Sequence, residues 1–137
     1  YMEGFLIGLL RDATNQKEQR WDAVTLEKAL ETRLATDIKE YVEKHLSERI
    51  TLAQIAEHVH YSRSYITEQF QKSTGMSVAA YIFERRMECA KEYLMQDRLT
   101  ISQISERLGF STVQYFSKCF KDAVGVSPSV YSKSPHL

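Results

Sequence analysis

The sequence predicts an all-α fold: two helix-turn-helix subdomains joined by a central linker helix, with a helical extension on the N-terminal side. Two observations predict it. A helical pattern that starts at Thr51 (TLAQIAEHVHYSRSYITEQFQKSTGMSVAAY) returns at Thr100 (TISQISERLGFSTVQYFSKCFKDAVGVSPSVY). Aligned at an offset of 49, rising to 50 after one extra residue near Val113–Gln114, the copies share ten identical pairs, from Thr51/Thr100 to Tyr81/Tyr131. Repetition over this length means one supersecondary unit used twice. The second observation is compositional: five glycines, two prolines and no alternating β-branched runs leave little room for strands.

Along residues 2–13, Met2, Phe5, Leu6, Leu9, Leu10 and Ala13 form one helical stripe, followed by a polar break around Asn15–Glu18. A further apolar face runs from about Trp21 through Val24, Leu26, Leu30 and Leu34 into Ile38, Tyr41, Val42 and Leu46. Nothing between Arg20 and Leu46 breaks a helix, so one long helix and two shorter ones are both compatible with the pattern. We take residues 1–36 as an extension or linker from an upstream domain and residues 37–137 as the repeat-bearing domain.

Within that domain the first helix-turn-helix spans about 51–75, the linker helix about 79–96 and the second unit about 100–125. Thr51-x-x-Gln54 and Thr100-x-x-Gln103 match a capping box, in which hydroxyl and amide satisfy orphan N–H groups at a helix start. Gly109 suits the left-handed corner that ends the first helix of the second unit, and His60 must take the same conformation at some cost. Ser62 and Ser111 are expected as N-caps of the following helices, whose apolar stripes are Ile66/Phe70 and Phe116/Phe120, and which end at Gly75 and Gly125. The linker helix has no breaker, which makes it a strut rather than a tether.

A formal net charge of zero argues against nucleic acid until it is divided along the chain. Residues 1–48 hold seven Lys/Arg against ten Asp/Glu, or −3, and residues 49–137 hold eleven against eight, or +3. The repeat-bearing part is mildly basic, less so than the usual DNA-binding footprint. Cys89 and Cys119 sit in apolar helical patterns with no second Cys or His at ligand spacing, which suits buried free thiols in a reducing cytoplasm. The apolar run FLIGLL is too short to cross a bilayer. A start at Tyr1 rather than Met suggests a piece of a longer chain.

The doubled unit, the joining pattern Arg86-x-x-x-Ala90-x-x-x-Leu94 and the second copy's ISERLGFSTVQYFSKCFKDAVGVSPSVY together resemble the DNA-binding domain of AraC/XylS-type bacterial transcription regulators. The resemblance covers about residues 37–137 and rests on a GF-S turn, a YF-x-x-x-FK helix and a G-x-S-P-x-x-Y close. Val78, His60 and Ser105 depart from it at turn and packing positions, where family members often have proline, glycine and alanine. It implies two recognition helices entering successive major grooves on one face of the duplex, roughly 34 Å apart.

In the first recognition helix the outward positions are Arg63, Ser64, Thr67, Glu68, Gln71 and Lys72. By resemblance Ser64, Thr67 and Glu68 sit where family members contact bases, with Arg63 and Lys72 within reach of base or phosphate. Glu68 either accepts from a cytosine amino group or screens neighbouring lysines. In the second, the set is Thr112, Val113, Gln114, Ser117, Lys118 and Lys121. Gln114 either pairs with adenine or closes a capping box with Ser111. Val113 suits a thymine methyl, and Lys118 suits guanine or phosphate; Lys118 and Lys121 are otherwise solvated charges. Thr51 and Thr100 either grip phosphate or serve as plain caps. Arg85 faces solvent or phosphate, and Arg86 resembles an arginine with a structural role. The aromatic residues Tyr61, Tyr65, Phe70, Tyr81, Phe110, Tyr115, Phe116, Phe120 and Tyr131 are spaced for packing, most of them inward, rather than for stacking on single-stranded bases.

The partners implied are double-stranded DNA, RNA polymerase for an activator, and a second copy through the extension or a missing upstream sensor domain; no membrane is implied. No pattern asks for a metal, a cofactor or a catalytic group, although some members of the family are fused to alkyl-transfer repair enzymes. The rival reading is a dimerisation or protein-interaction module working through residues 2–46.

Overall fold

The computed structural model describes residues 16–133, with side chains from residue 23 onward, so the apolar stripe of residues 2–13 lies outside the described residues. Seven helices follow one another there: α1 (Gln16–Lys44), α2 (Leu52–Val59), α3 (Arg63–Thr74), α4 (Val78–Gln96), α5 (Ile101–Arg107), α6 (Val113–Val124) and α7 (Pro128–Lys133). The ambiguity before Leu46 resolves as one helix of 29 residues, which runs unbroken through positions 36 and 37. Its two halves differ. Leu34, Ala35, Ile38 and Val42 are buried, whereas Val24, Leu26 and Leu30 are exposed.

The helices form two packed groups that share α4. In the first, α1 lies against α2 and α3, and the start of α4 closes the group; in the second, the rest of α4 lies against α5 and α7, with α6 packed on both. Each group has its own core. Leu34, Ile38, Val42, Leu46, Ile55, Ile66, Phe70 and Val78 form one, and Met87, Ala90, Leu94, Ile104, Leu108, Phe116 and Phe120 form the other, with Cys89 touching both. Removing such a phenylalanine side chain costs about 3–5 kcal/mol, so α3 and α6 are held chiefly by Phe70 and Phe120 with their partners. At 19 residues α4 is about 28 Å long.

The repeat is repeated in its details. Both capping boxes close: the Thr51 and Thr100 hydroxyls each accept from a glutamine N–H at 3.1 Å, and each threonine N–H donates back to that glutamine's Oε1 at 2.9 and 2.8 Å. His60 (φ 64°) and Gly109 (φ 74°) both take the left-handed corner. There the N–H groups of Tyr61 and Phe110 reach back to the carbonyls of Ala56 and Ser105, a Schellman-type closure. Gly75 and Gly125 end α3 and α6, and Tyr81 and Tyr131 set ring edges on Phe70 and Phe120 at 5.6 and 5.4 Å. Ser105, where the first copy has Ala56, is buried, and its hydroxyl donates to the Thr112 carbonyl at 3.3 Å.

One expected cap is wrong. Ser62 caps α3, but Thr112 and not Ser111 caps α6, its Oγ1 accepting from Tyr115 N–H at 3.0 Å. The left-handed corners are 49 residues apart and the caps 50. The extra residue therefore sits in the turn between Gly109 and Thr112, upstream of the place where sequence identity put it. Two adjacent hydroxyl residues, Ser111 and Thr112, hid the shift.

Candidate nucleic-acid interface

Helices α3 and α6 are second helices of their turns, and each commits one stripe to a core. Ile66 and Phe70 in α3, and Phe116 and Phe120 in α6, are completely buried. That fixes the rotation of each helix and so decides what points away. In α3, Arg63, Ser64, Thr67, Glu68, Gln71 and Lys72 are all exposed. In α6, Thr112, Gln114, Lys118 and Lys121 are exposed, while Val113 and Ser117 are half-buried. With the caps aligned at an offset of 50, Arg63, Ser64, Thr67, Glu68 and Gln71 coincide with Val113, Gln114, Ser117, Lys118 and Lys121. The two sets are the same helix face with different chemistry: an acid at 68 stands against a lysine at 118.

Several of these side chains have local partners. Thr67 Oγ1 donates to the Arg63 carbonyl at 2.9 Å, which uses its hydroxyl hydrogen and leaves the methyl group and the oxygen lone pairs for a partner. Lys72 leans toward Glu31 of α1 at 3.7 Å, yet remains 65% exposed. Gln114 does not close a capping box with Ser111, because Thr112 is the cap; its amide is left as an outward-facing group. Thr112 itself spends one hydroxyl lone pair on the helix start. The capping boxes also reduce what Thr51 and Thr100 can offer an anion. Their own N–H groups are already taken, leaving the hydroxyl hydrogens and the first-turn N–H groups of Leu52, Ala53, Ile101 and Ser102.

Arg85 stands at the surface, its side chain 29% exposed, but it is paired. Its Nε and Nη2 donate to the two carboxylate oxygens of Glu43 on α1, at 2.8 and 3.2 Å. That forked bond, the dominant influence, pushes the Arg85 pKa further up. Facing outward from the strut, it pins the strut to α1 and is spoken for. Cys89, one turn further on, has its thiol pushed up by burial and offers Sγ to Arg85 at 3.9 Å. Both thiols are half-buried, and among the described residues no cluster of His, Cys, Asp or Glu is arranged to hold a metal. No helix among those residues is long and apolar enough to cross a membrane.

Three of the nine aromatics spaced for packing depart from the inward pattern. Tyr61, Tyr65 and Tyr115 are exposed, and they pair near the helix starts: Tyr61 stacks on Tyr65 with centroids 4.9 Å apart, and Phe110 meets Tyr115 at 5.9 Å. Tyr65 and Tyr115 therefore border the outward face of each recognition helix. The signal was available, since each lies one residue before a core position and so about 100° off the buried stripe.

A family profile described as a helix-turn-helix domain matches residues 55–134. The chain is 38% identical over 91 residues to the HTH-type transcriptional regulator YobQ of Bacillus subtilis, covering 66% of this chain and 38% of that protein. It is 35% identical over 102 residues to the HTH-type transcriptional activator AarP of Providencia stuartii, covering 74% of this chain and 75% of AarP. Among solved structures, the C-terminal domain of AraT, a response regulator from Geobacillus stearothermophilus, superposes with a TM-score of 0.71 at 34% identity, over 76% of this chain and 87% of that one. The chain spans about a third of the length of several of the curated relatives it matches.

Proposed function

The chain belongs to the AraC-type helix-turn-helix family of transcription regulators, and from that premise we propose that it reads two successive major grooves of one DNA duplex with α3 and α6. The observation that carries this reading is the equivalence of the two outward faces, each fixed in rotation by a pair driven fully into a core, Ile66 with Phe70 and Phe116 with Phe120. An α-helix fits the major groove, where each base pair presents its own donor and acceptor pattern.

In this reading Ser64, Thr67, Glu68 and Arg63 address the first groove, with Gln71 at the far end of the face. Gln114, Val113, Ser117 and Lys118 address the second. Gln114 has the donor and acceptor pair that matches adenine, Lys118 the charge for guanine O6/N7, and Val113 the apolar surface for a thymine methyl. Lys72, Lys121 and the helix starts at Thr51 and Thr100 supply phosphate contacts, which carry affinity and salt dependence but little sequence information. Arg85 has no part in it, being held by Glu43.

We further propose activation through RNA polymerase as the outcome in the cell, in line with the activator AarP, and a cytoplasmic location in which the two thiols stay reduced. Cys89 and Cys119 serve packing, not catalysis. A second reading, self-association through the extension, is favoured by the exposed Val24, Leu26 and Leu30 on α1. Both are tested by mobility shifts with paired substitutions, Ser64→Ala/Thr67→Ala in one helix and Gln114→Ala/Lys118→Ala in the other, alongside sedimentation of the free chain. Loss of sequence preference at one half-site per pair supports the two-groove reading. Unchanged preference in both pairs refutes it, and a monomer at all concentrations refutes the self-association.

A further inference from the structure

Beyond the shared α4, the two helix-turn-helix units approach each other where residues 46–48 run beside the Gly109–Phe110 turn. Leu46, anchored in the first core, leads into the segment before α2, and its carbonyl and that of Glu48 point at α4. Arg86 on α4 donates to both, from Nε to Leu46 O at 3.3 Å and from Nη2 to Glu48 O at 2.6 Å. The same guanidinium lies 5.9 Å from the ring of Phe110, in the turn of the second unit. Burial pulls the Arg86 pKa below its usual value, yet the group stays charged at any ordinary pH and is bound to keep its acceptors. The opposite wall is Gly109. A Cβ there would stand 3.0 Å from Glu48 O and 3.1 Å from both Leu46 O and Arg86 Nη2. One residue of the strut thus holds backbone from the first unit against the turn of the second, and the turn lies this close with no Cβ in the gap.

We propose that Arg86 is a positioning residue that sets the separation and relative rotation of the two recognition helices, by clamping residues 46–48 against the Gly109–Phe110 turn. It touches no DNA in this arrangement. The proposal rests on the two-groove reading, because a fixed geometry matters only when both grooves are engaged together. Two linked modules gain on the order of 10²–10⁴ in avidity when geometry allows both to bind, and lose it when geometry forbids. Each base pair inserted between half-sites rotates one groove by about 34° relative to the other, so a stiff clamp demands one spacing. A released clamp tolerates several.

The test uses the whole 137-residue chain and duplexes carrying its selected half-sites with zero to three inserted base pairs, plus a duplex with a single half-site. The unaltered chain is expected to lose about a hundredfold in affinity with one or two insertions. Arg86→Ala is expected to bind the single half-site within about threefold of normal while its affinity varies less than about tenfold across spacings. Arg86→Lys, which keeps a charged donor but cannot fork to both carbonyls, falls between them and carries the test if the alanine variant does not fold. Folded variants whose spacing profiles parallel that of the unaltered chain, merely displaced to weaker binding, would overturn the clamp and leave the two-groove reading standing. An unaltered chain indifferent to spacing would overturn both.

Discussion

Replacing Gly109 with alanine probes the junction between the two units through stability alone. Two penalties act. The residue sits at φ 74°, where an L side chain crowds its own backbone at a cost of about 1–2 kcal/mol. The new methyl also meets two backbone carbonyls at 3.0 and 3.1 Å, neither able to swing aside as a side chain would. Forcing a methyl into so close a fit costs about 1–3 kcal/mol. Alanine restricts the unfolded chain, which returns about 0.4–1 kcal/mol to the folded state. The balance is a loss of about 3 kcal/mol, from penalties of roughly 1–2 and 1–3 kcal/mol against that smaller return. Gly75 provides the control, with φ 80° and nothing within 4 Å of an added Cβ. There strain and entropy nearly offset, leaving a loss of about 1 kcal/mol or less. Urea titrations of the two variants should therefore differ by about 2 kcal/mol, close to thirtyfold in the folding constant, with equal slopes. Equal losses in the two variants would refute the close fit at the junction.

Further expectations follow from other residues. Lys118→Ala should cost about 1–3 kcal/mol on the preferred site and relax the choice of one base pair, whereas Lys72→Ala should weaken binding evenly across sequences and lower the salt slope by about one; titrations at several salt concentrations on matched and scrambled duplexes separate the two patterns. His60→Gly should stabilise the chain by about 0.5–1 kcal/mol, because glycine takes the left-handed corner without the strain that His60 bears at φ 64°; a lowered urea midpoint would contradict this. Burial raises the Cys89 thiol, so the unfolded thiol ionises first as pH climbs past about 8.5 and the folded state loses ground from there upward. The fall in stability between pH 7.5 and 9.5 should be shallower in Cys89→Ala, and identical falls would count against the buried thiol.

The fold was legible because its signals are local and doubled. Capping boxes at Thr51 and Thr100, left-handed corners at His60 and Gly109 and stop signals at Gly75 and Gly125 each act within a few residues, and the structure has all of them. The outward faces of α3 and α6 were legible for the same reason, since two buried residues per helix fix its rotation. What sequence reasoning lost depended on choices between equivalent neighbours or on contacts between distant segments. Ser111 and Thr112 are both competent caps, and only the backbone path selects the second. Arg85 and Arg86 are adjacent and chemically alike, but one helical step sends the first to Glu43 and the second to the carbonyls of Leu46 and Glu48, some forty residues upstream. No short-range pattern encodes those pairings. The exposed Tyr65 and Tyr115 were missed by treating aromatic residues as a class rather than by their angle on the helix.

The central claim is that one chain engages two neighbouring grooves at once. Selection of bound duplexes from a random library, followed by hydroxyl-radical footprinting of the winners, tests it most directly. Two half-sites with centres about 10 base pairs apart, protected on the same side of the helix, are expected. A single short motif with one protected patch, or enrichment without any sequence preference, would contradict the account.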